Sequence, residues 1–403
     1  MGFVVGIAVF AIGIVLSIAL HEAGHMFTAR AFGMRVRRYF VGFGPPVWQI
    51  TKGHTTYGVA ALPLGGFCDI AGMTAQDELS AAEEPVAMYK KPWWQRIAVM
   101  SGGIVMNLLL GLVIIYMVAV FASIPNPYAD RTPTVGKVAC TSDQVAEDQL
   151  AECVGAGPAG AAGIQPGDKL LAVDGQKLQT FTQLRDYVML RPGETVTLSI
   201  QREGEVSDVD VAVDAVKRLN PQTGEFVEVG AVGITNQPVD NPTASFGPFE
   251  AVPATFALTG QMLRATVEGL VAFPGKIPGV VASIFGAQRD ETGPVSVIGA
   301  SRAGGELVER SMWEVFWMML ASLNFFLALF NLVPLPPLDG GHIAVIVYEK
   351  IRDGFRRARG LAPAGPANYE KLMPVTYVMA SALLVIGVFV MVADVVNPVK
   401  LFG

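Results

Sequence analysis

Four long runs of apolar residues dominate the chain, and more polar stretches separate them. The runs are Phe3 to Leu20, Ile97 to Ile124, Met312 to Val333 and Val375 to Val396. Each is long enough to cross the hydrocarbon core of a bilayer as an α-helix, which needs about 20 apolar residues. The pattern therefore predicts four transmembrane helices.

Composition supports a membrane protein. Hydrophobic residues make up 52% of the 403 residues and charged residues only 16%, whereas about 25% charged is usual in soluble domains. The net charge of −6 gives no support for nucleic-acid binding. The first apolar run lacks a basic leader and a small-residue cleavage site, so we interpret it as an anchor rather than a signal peptide.

Loop charges predict the orientation. Residues 26–97 carry eight basic and five acidic side chains, and residues 349–371 carry six and three. Residues 124–310 carry 14 basic and 23 acidic side chains. Because basic loops stay inside, we expect the first two segments in the cytoplasm and the long acidic segment outside, together with both termini.

The sequence His21-Glu22-Ala-Gly-His25 closes the first apolar run. Histidines four residues apart lie on one face of a helix, so both imidazoles can bind one zinc ion, with the glutamate between them as general base. Ionisable groups inside a membrane helix are costly and usually functional. The motif therefore favours a zinc site over the alternative, a capped helix end with polar residues at the interface.

A zinc site of this kind needs a third protein ligand and an open position. In the segment Asn331 to Gly341, three prolines break the helix and two glycines allow a close bend around Asp339. The first and third helices both run inwards, so His21, His25 and Asp339 reach a similar depth. We expect Asp339 to be the third ligand; the alternative is a plain turn residue.

The remaining polar residues near the apolar runs have less specific roles. Asn324 and Asn331 lie seven residues apart on one helix face, where amides can bind a substrate backbone or join helices. We favour a substrate contact for Asn331 and keep both roles open for Asn324. Asn107 is predicted to join helices, His342 to support the site or the fold, and His54 to lie in a solvated loop.

Residues 135 to 216 alternate like a β-rich domain with one helix. The stretch Ala161-Ala-Gly-Ile-Gln-Pro-Gly-Asp-Lys-Leu170 resembles the PDZ domains of bacterial membrane and periplasmic proteases. That resemblance implies a domain that binds a peptide C-terminus or extended segment by strand addition. The candidate peptide-binding residues are Gly163, Ile164, Gly167 and Asp168. A small β domain without a ligand is the alternative.

Two further features stay open. Cys140 and Cys153 are both expected outside, where they form either a disulfide or two free thiols; Cys68 has no partner on its side. Residues 255–285 are apolar but interrupted by charges and proline. They form an interfacial helix, a re-entrant segment or a helix packed on the third span.

Residues 57 to 64 are predicted to form a strand paired with residues 48–51, in a β-hairpin that dips into the membrane. With these pieces together, the chain resembles the bacterial site-2 proteases, zinc-dependent intramembrane metalloproteases, over nearly its whole length. The residues that carry the resemblance are His21-Glu-x-x-His25, Gly42-Phe43-Gly44, the PDZ pattern, Gly293-Pro294 and Asn331-x-x-Pro-x-x-x-Leu-Asp-Gly340.

The resemblance implies one zinc ion per chain, bound by His21, His25 and Asp339, with Glu22 as the catalytic acid and base. It also implies that the hairpin edge holds an extended substrate, with Gly42, Phe43 and Gly44 as candidate contacts. Implied substrates are single-pass membrane proteins such as anti-sigma factors, already cleaved outside by a site-1 protease. The PDZ would serve as docking site or size filter.

Two other functions compete with this hypothesis. A PDZ receptor or scaffold with a structural zinc site would not need Glu22. A metal transporter is disfavoured because the two halves of the chain show no inverted repeat. Some site-2 proteases carry two PDZ domains, whereas one such pattern is present here.

We therefore predict a polytopic α-helical protein of a bacterial cytoplasmic membrane, with four transmembrane helices, a membrane-associated β-hairpin and an inserted α+β PDZ domain. The predicted segments are transmembrane helix 1 with the zinc motif (1–30), the cytoplasmic-side loop with the hairpin (31–96), transmembrane helix 2 (97–124), the PDZ domain (130–217), an interfacial linker with amphipathic helices (218–310), transmembrane helix 3 with the Asp-Gly motif (311–348), a cytoplasmic loop (349–373) and transmembrane helix 4 (374–397).

Overall fold

The computed structural model describes residues 1–146, 149–220, 224–290, 292–399 and 401–402, with the backbone alone at residues 63 and 64. The chain divides into two compact units. We call them the helical unit (Met1–Pro127 and Thr243–Gly403) and the β-rich unit (Tyr128–Pro242). The predicted insertion of a β-rich domain between the second and third apolar runs corresponds to this division.

The α-helices, in chain order, are α1 (Gly2–Ala31), α2 (Trp93–Phe121), α3 (Gly157–Ala161), α4 (Phe181–Met189), α5 (Ala251–Ile284), α6 (Val297–Glu309), α7 (Trp313–Leu332), α8 (Asp339–Ala358) and α9 (Met373–Val396). Short 3₁₀ turns occupy Glu84–Val86, Met88–Lys90 and Tyr369–Lys371. Helices α3 and α4 belong to the β-rich unit.

The strands are β1 (Val36–Lys52), β2 (Thr55–Ile70), β3 (Ile124–Pro125), β4 (Val135–Val138), β5 (Gln144–Ala146), β6 (Gln149–Leu150), β7 (Lys169–Val173), β8 (Gln176–Lys177), β9 (Thr195–Arg202), β10 (Glu205–Ala212), β11 (Asp214–Leu219), β12 (Phe226–Ala231), β13 (Ile234–Asn236) and β14 (Thr243–Ala244). Of these, β1, β2, β3 and β14 belong to the helical unit.

Five helices in the described part of the chain are long and apolar enough to cross a membrane: α1, α2, α5, α7 and α9. Four of them cover the four apolar runs. The fifth, α5, has a mean hydropathy of 1.3, the lowest of the five. The sequence predicted four transmembrane helices, one fewer than the five candidates in the structure. It did not count α5 because charged residues and prolines interrupt the apolar run of that helix.

Helix α1 packs against its neighbours through glycines. A Cβ atom added at Gly24 would lie 2.2 Å from the carbonyl oxygen of Gly102 in α2, and one added at Gly6 would lie 2.6 Å from that of Gly304 in α6. Only glycine allows backbones to approach this closely, as is typical of helix interfaces in membranes. Helix α1 is thus held at minimal distance from α2 near one end and from α6 near the other.

The third predicted span does not run on to residue 348. Helix α7 ends at Leu332, before the prolines, and α8 begins separately at Asp339. A Cβ atom at Gly340 would lie 2.3 Å from the carbonyl oxygen of Leu332. The glycine therefore lets α8 fold back against the end of α7, which fixes Asp339 at the break.

The predicted β-hairpin is confirmed and is longer than expected. Trp48 lies opposite Val59, and Tyr39 lies opposite both Cys68 and Tyr57. Because residues 38–41 pair with β2 on both sides, the end of β2, residues 66–69, forms an outer edge of this small sheet.

Helix α5 contacts three other helices, α2, α7 and α9. Its first turns pack against the end of α2 through Ala251 and Leu258, and its last turn packs through Val280 against Ala393 of α9. Behind this second contact, Arg289 forms a buried ion pair with Asp394 at 2.8 Å.

The β-rich unit contains a four-stranded sheet in the order β10-β9-β7-β8, with a core that includes Leu170, Leu184 and Leu198. It extends beyond the predicted 130–217, because β13 pairs with β4 and β11 pairs with β12. Residues up to 242 thus belong to the β-rich unit rather than to the linker. Cys140 and Cys153 form a disulfide, with their Cα atoms 5.9 Å apart.

Candidate metal centre

Helix α1 carries the first part of the site. His21 and His25 are buried on the face that packs against α2, and Glu22 is next to them. No proline or charge occurs between Gly2 and Leu20, so the helix continues without a break into the motif. The sequence Gly-Gly at positions 102 and 103 lets α2 come close enough to touch both rings.

The break between α7 and α8 places the carboxylate of Asp339 beside the two imidazoles. The Nε2 atom of His21 lies 3.2 Å from Oδ2 of Asp339, and that of His25 lies 3.3 Å from the same oxygen. The two Nε2 atoms are 3.2 Å apart. Three potential ligand atoms thus form a nearly equilateral triangle, as the sequence predicted from two distant motifs.

This triangle fits a tetrahedral zinc ion. Zinc bonds to nitrogen and oxygen of 2.0–2.1 Å at tetrahedral angles place neighbouring ligand atoms about 3.3 Å apart. All three observed edges agree with that spacing. Among the described residues, these three form the one group of His, Cys, Asp and Glu side chains close enough to hold a metal.

Two observations indicate that the triangle is built around something other than protein. Oδ2 of Asp339 is buried and has no hydrogen-bond partner in the described chain, although a buried unpaired carboxylate oxygen is costly. A Cβ atom at Gly103 would lie 2.6 Å from Nε2 of both histidines. The space in front of the rings therefore depends on glycine in α2.

The groups around the triangle have defined contacts. Nδ1 of His25 lies 2.8 Å from the carbonyl oxygen of Val99, so Nδ1 carries the proton and Nε2 keeps its lone pair for a metal. A Cβ atom added at Gly66 in β2 would lie 3.0 Å from Cγ of Glu22. The outer edge of the β-hairpin therefore reaches the side chain beside the metal ligands.

A cavity of about 360 Å³ opens in front of these groups. It is lined by the three triangle residues, by Glu22, and by a second set of side chains and backbone from the hairpin and from α7 and α8. The second set includes Phe43, Gly65, Gly66, Phe67, Cys68, Asn331 and His342. Both a polar reaction centre and an extended polypeptide edge therefore border one space.

The substrate-contact predictions have different outcomes. Phe43 and Asn331 line the cavity, and Asn331 donates to the carbonyl oxygen of Leu327. Gly42 has a positive φ and packs against the backbone of the same hairpin. Neither Gly42 nor Gly44 is among the cavity-lining residues.

Asn324 is a helix contact. It is fully buried, and its amide donates to Ser17 Oγ at 3.0 Å and to the carbonyl oxygen of Leu320. The NH2 group thus links α7 to α1, and Asn324 is not among the cavity-lining residues. A substrate contact at Asn324 remains a prediction. Asn107, predicted to join helices, does join α2 to α1: its Nδ2 lies 3.2 Å from Nδ1 of His21.

The other two histidines are in the environments that the sequence suggested. His342 lines the cavity and stacks on Tyr369, with ring centroids 5.7 Å apart. His54 is exposed beside Arg35.

In the β-rich unit, Asp168 is 1% exposed and its carboxylate is engaged by Arg202 and by the N–H of Gln165. The guanidinium of Arg202 lowers the pKa of Asp168 below its usual range. Asp168 therefore stabilises the turn that includes Gly167, while Ile164 is part of the core. Peptide binding by Gly163, Ile164, Gly167 and Asp168 remains a prediction, in which Asp168 would act through the loop it holds.

Three features of the site escaped the sequence analysis. Gly103 and Val99 act through an absent side chain and a backbone carbonyl, which residue chemistry does not reveal. The sequence predicted residues 65–68 only as part of the hairpin region and did not predict that this edge contacts the Glu22 side chain. A usable signal existed: Val99, Gly103 and Asn107 are each four residues apart, hence on one face of α2.

Comparison with known proteins gives a family match and close relatives. Residues 9–364 match the family described as Peptidase family M50. Two proteins named zinc metalloprotease Rip1 are similar over the full length of both chains: that of Mycolicibacterium smegmatis is 46% identical over 407 residues, and that of Mycobacterium tuberculosis is 44% identical over 408 residues.

Among solved structures, the PDZ domain of the SdrC-like protein from Listeria monocytogenes matches 27% of this chain and 88% of its own, at 18% identity and a TM-score of 0.18.

Proposed function

The chain belongs to peptidase family M50, and we infer that it is a zinc metalloprotease acting on membrane-protein substrates. The single observation that carries this function is the triangle of His21, His25 and Asp339, whose edges of 3.2–3.3 Å match tetrahedral zinc. Three protein ligands leave one position open, as in catalytic rather than structural zinc sites.

The proposed chemistry assigns a separate task to each side chain. When bound, zinc lowers the pKa of a water molecule from about 15.7 towards 7 and polarises the scissile carbonyl group. Glu22, which lines the same cavity, takes the proton from that water and later delivers it to the leaving amine. The hairpin edge at Gly66 packs closely against the Glu22 side chain beside which these transfers take place.

We propose that the end of β2 holds the substrate as an added strand. A membrane helix protects its peptide bonds by internal hydrogen bonds, so the scissile segment must unwind before hydrolysis. The edge at residues 65–68 borders the cavity and offers backbone groups to replace those bonds. Phe43 and Asn331 would contact the extended segment, with the amide of Asn331 near the developing oxyanion.

For the membrane arrangement, we propose that α1, α2, α7 and α9 span the bilayer and that α5 lies largely in the interface. Helix α5 packs at one end against the end of α2 and at the other against the end of α9. Under the orientation that loop charges favour, both of these ends face outwards. The zinc site then lies towards the cytoplasmic side of a bacterial cytoplasmic membrane.

We propose that the β-rich unit is a PDZ domain exposed on the outer side, where it would bind the C-terminus or an extended segment of the substrate. The disulfide between Cys140 and Cys153 supports an oxidising compartment. The proposed substrates are single-pass proteins, such as anti-sigma factors, whose outer domain a site-1 protease has already removed.

The function is tested by Glu22→Gln in the full-length protein with a single-pass model substrate. We expect cleavage to fall by at least about 100-fold, the scale of general acid–base catalysis, while zinc content measured by elemental analysis stays at the wild-type value. The matched control is Glu228→Gln, exposed on β12, which should cleave like wild type. Undiminished cleavage by Glu22→Gln would exclude the proposed mechanism.

A further inference from the structure

We propose that Asn107 is a positioning residue for the metal centre: its amide oxygen accepts a hydrogen bond from Nδ1–H of His21 and so keeps Nε2 free to bind zinc. The inference rests on the proposed assignment of His21 as a ligand. It adds to the contact of Asn107 between α2 and α1 a second role, the support of one imidazole ring.

One face of α2 serves both histidines. Val99, Gly103 and Asn107 follow each other at four-residue spacing, so they form a stripe along the helix. The carbonyl oxygen of Val99 lies 2.8 Å from Nδ1 of His25, and the amide nitrogen Nδ2 of Asn107 lies 3.2 Å from Nδ1 of His21. In the proposed arrangement this amide is turned by 180°, which exchanges Nδ2 and Oδ1 and so places Oδ1 opposite Nδ1. Gly103, between them, leaves room for both Nε2 atoms.

The direction of the contact follows from what Nε2 must do. A neutral imidazole carries one proton, on either Nδ1 or Nε2. If the Asn107 amide donated to Nδ1, the proton would lie on Nε2, where it would prevent metal binding. If the amide oxygen accepts from Nδ1–H, Nε2 presents its lone pair towards Asp339 and His25, in the same way as Val99 arranges His25.

Burial makes a purely structural role for Asn107 unfavourable. The residue is 1% exposed, and its amide oxygen Oδ1, as the amide is oriented in the structure, has no hydrogen-bond partner in the described chain. A buried amide with unsatisfied groups costs about 1–3 kcal/mol, so an apolar residue would pack these helices better. In the proposed orientation the unpaired group is the NH2, and a water molecule in the cavity that Asn107 lines can accept from it.

The test compares zinc affinity, measured by competition with a chelator on the full-length protein in detergent. Asn107→Leu removes the acceptor at similar volume and should weaken zinc binding by about 10–100-fold, the usual effect of losing such a partner. Asn107→Asp keeps an acceptor and should bind zinc at least as tightly as wild type. Asn324→Leu removes a buried amide far from the rings and should leave zinc affinity unchanged.

Wild-type zinc affinity in Asn107→Leu would overturn the inference. So would weakened binding in Asn107→Asp, because a donor role or a packing role gains nothing from a carboxylate; this variant decides the question if Asn107→Leu does not fold. The affinities are independent of proteolysis. If the variants show this ranking of zinc affinities but the wild-type protein cleaves no substrate, the proposed function is refuted and the inference stands.

Discussion

Two carboxylates in the helical unit, the partly buried Asp339 and the fully buried Asp394, have opposite surroundings. Oδ1 of Asp394 accepts from the guanidinium of Arg289 at 2.8 Å, and Oδ2 accepts from the N–H of Ser296. Oδ2 of Asp339 has no hydrogen-bond donor among the described residues and faces the Nε2 atoms of two histidines. Each lies beside an apolar helix, where an unpaired charge is costly.

The difference distinguishes a carboxylate that stabilises the fold from one that we propose to bind the metal. Asp394 is paired by its own chain, so it stabilises the meeting point of α5, α6 and α9 without any further component. Oδ2 of Asp339 has no hydrogen-bond partner in the described chain, and we propose that a cation takes that place. An acid within apolar sequence is thus not by itself a sign of function; what distinguishes the two is whether the protein supplies the partner.

The largest expected effect separates the two acids directly. Asp339→Asn should abolish stoichiometric zinc binding, weakening affinity beyond the 10–100-fold typical of outer partners, and cleavage should disappear with it. Asp394→Asn should retain the zinc content of wild type by elemental analysis. Equal zinc contents in the two variants would remove Asp339 from the proposed ligands.

A second prediction concerns the partner of Asp394. Arg289→Met leaves the carboxylate buried without its cation, and breaking a buried ion pair from one side typically costs about 3–5 kcal/mol. We expect a marked fall in thermal stability in detergent, with zinc still bound before unfolding. Arg289→Lys should lose less, since it keeps the charge. A melting temperature unchanged in Arg289→Met would show that the pair contributes little.

The smallest effect is expected for a third carboxylate, Asp168, which is paired like Asp394 but with an arginine open to water. Because its pKa is lowered in the folded protein, the pair stabilises the fold above the ordinary pKa of aspartate, near 3.9. The stabilisation by this pair is lost as the pH falls through the lowered pKa of Asp168. The stability of wild type should thus decline more steeply below pH 4 than that of Arg202→Gln, as followed by circular dichroism. Parallel declines would contradict the assignment.

Sequence reasoning singled out the three proposed ligands, which the structure brings together, because their chemistry is visible in residue types. His21 and His25 are two of four histidines in the chain, and Asp339 stands between prolines and glycines that announce a break. The supports of the site were harder to find. Gly103 matters because a side chain is missing, and Val99 because of its carbonyl oxygen, so only the packing of α2 on α1 reveals them.

The helices show a similar limit. Hydropathy identifies α1, α2, α7 and α9 because their apolar runs are uninterrupted. It does not decide α5, where charges and two prolines lower the average while the helix still continues over 34 residues. It also joined α7 and α8 into one span, since the extent of a break depends on how Gly340 packs against Leu332.

The start of α8 at Asp339 makes zinc a thermodynamic link as well as a reagent. Two proposed ligands belong to α1 and the third is the first residue of α8, so the ion joins elements from opposite ends of the sequence. Any ligand that binds only the folded state stabilises it, by about 4.1 kcal/mol at a free concentration 1,000 times its dissociation constant. The resistance of this chain to unfolding should therefore rise and fall with free zinc, so that metal starvation would reduce how much intact protease the cell retains.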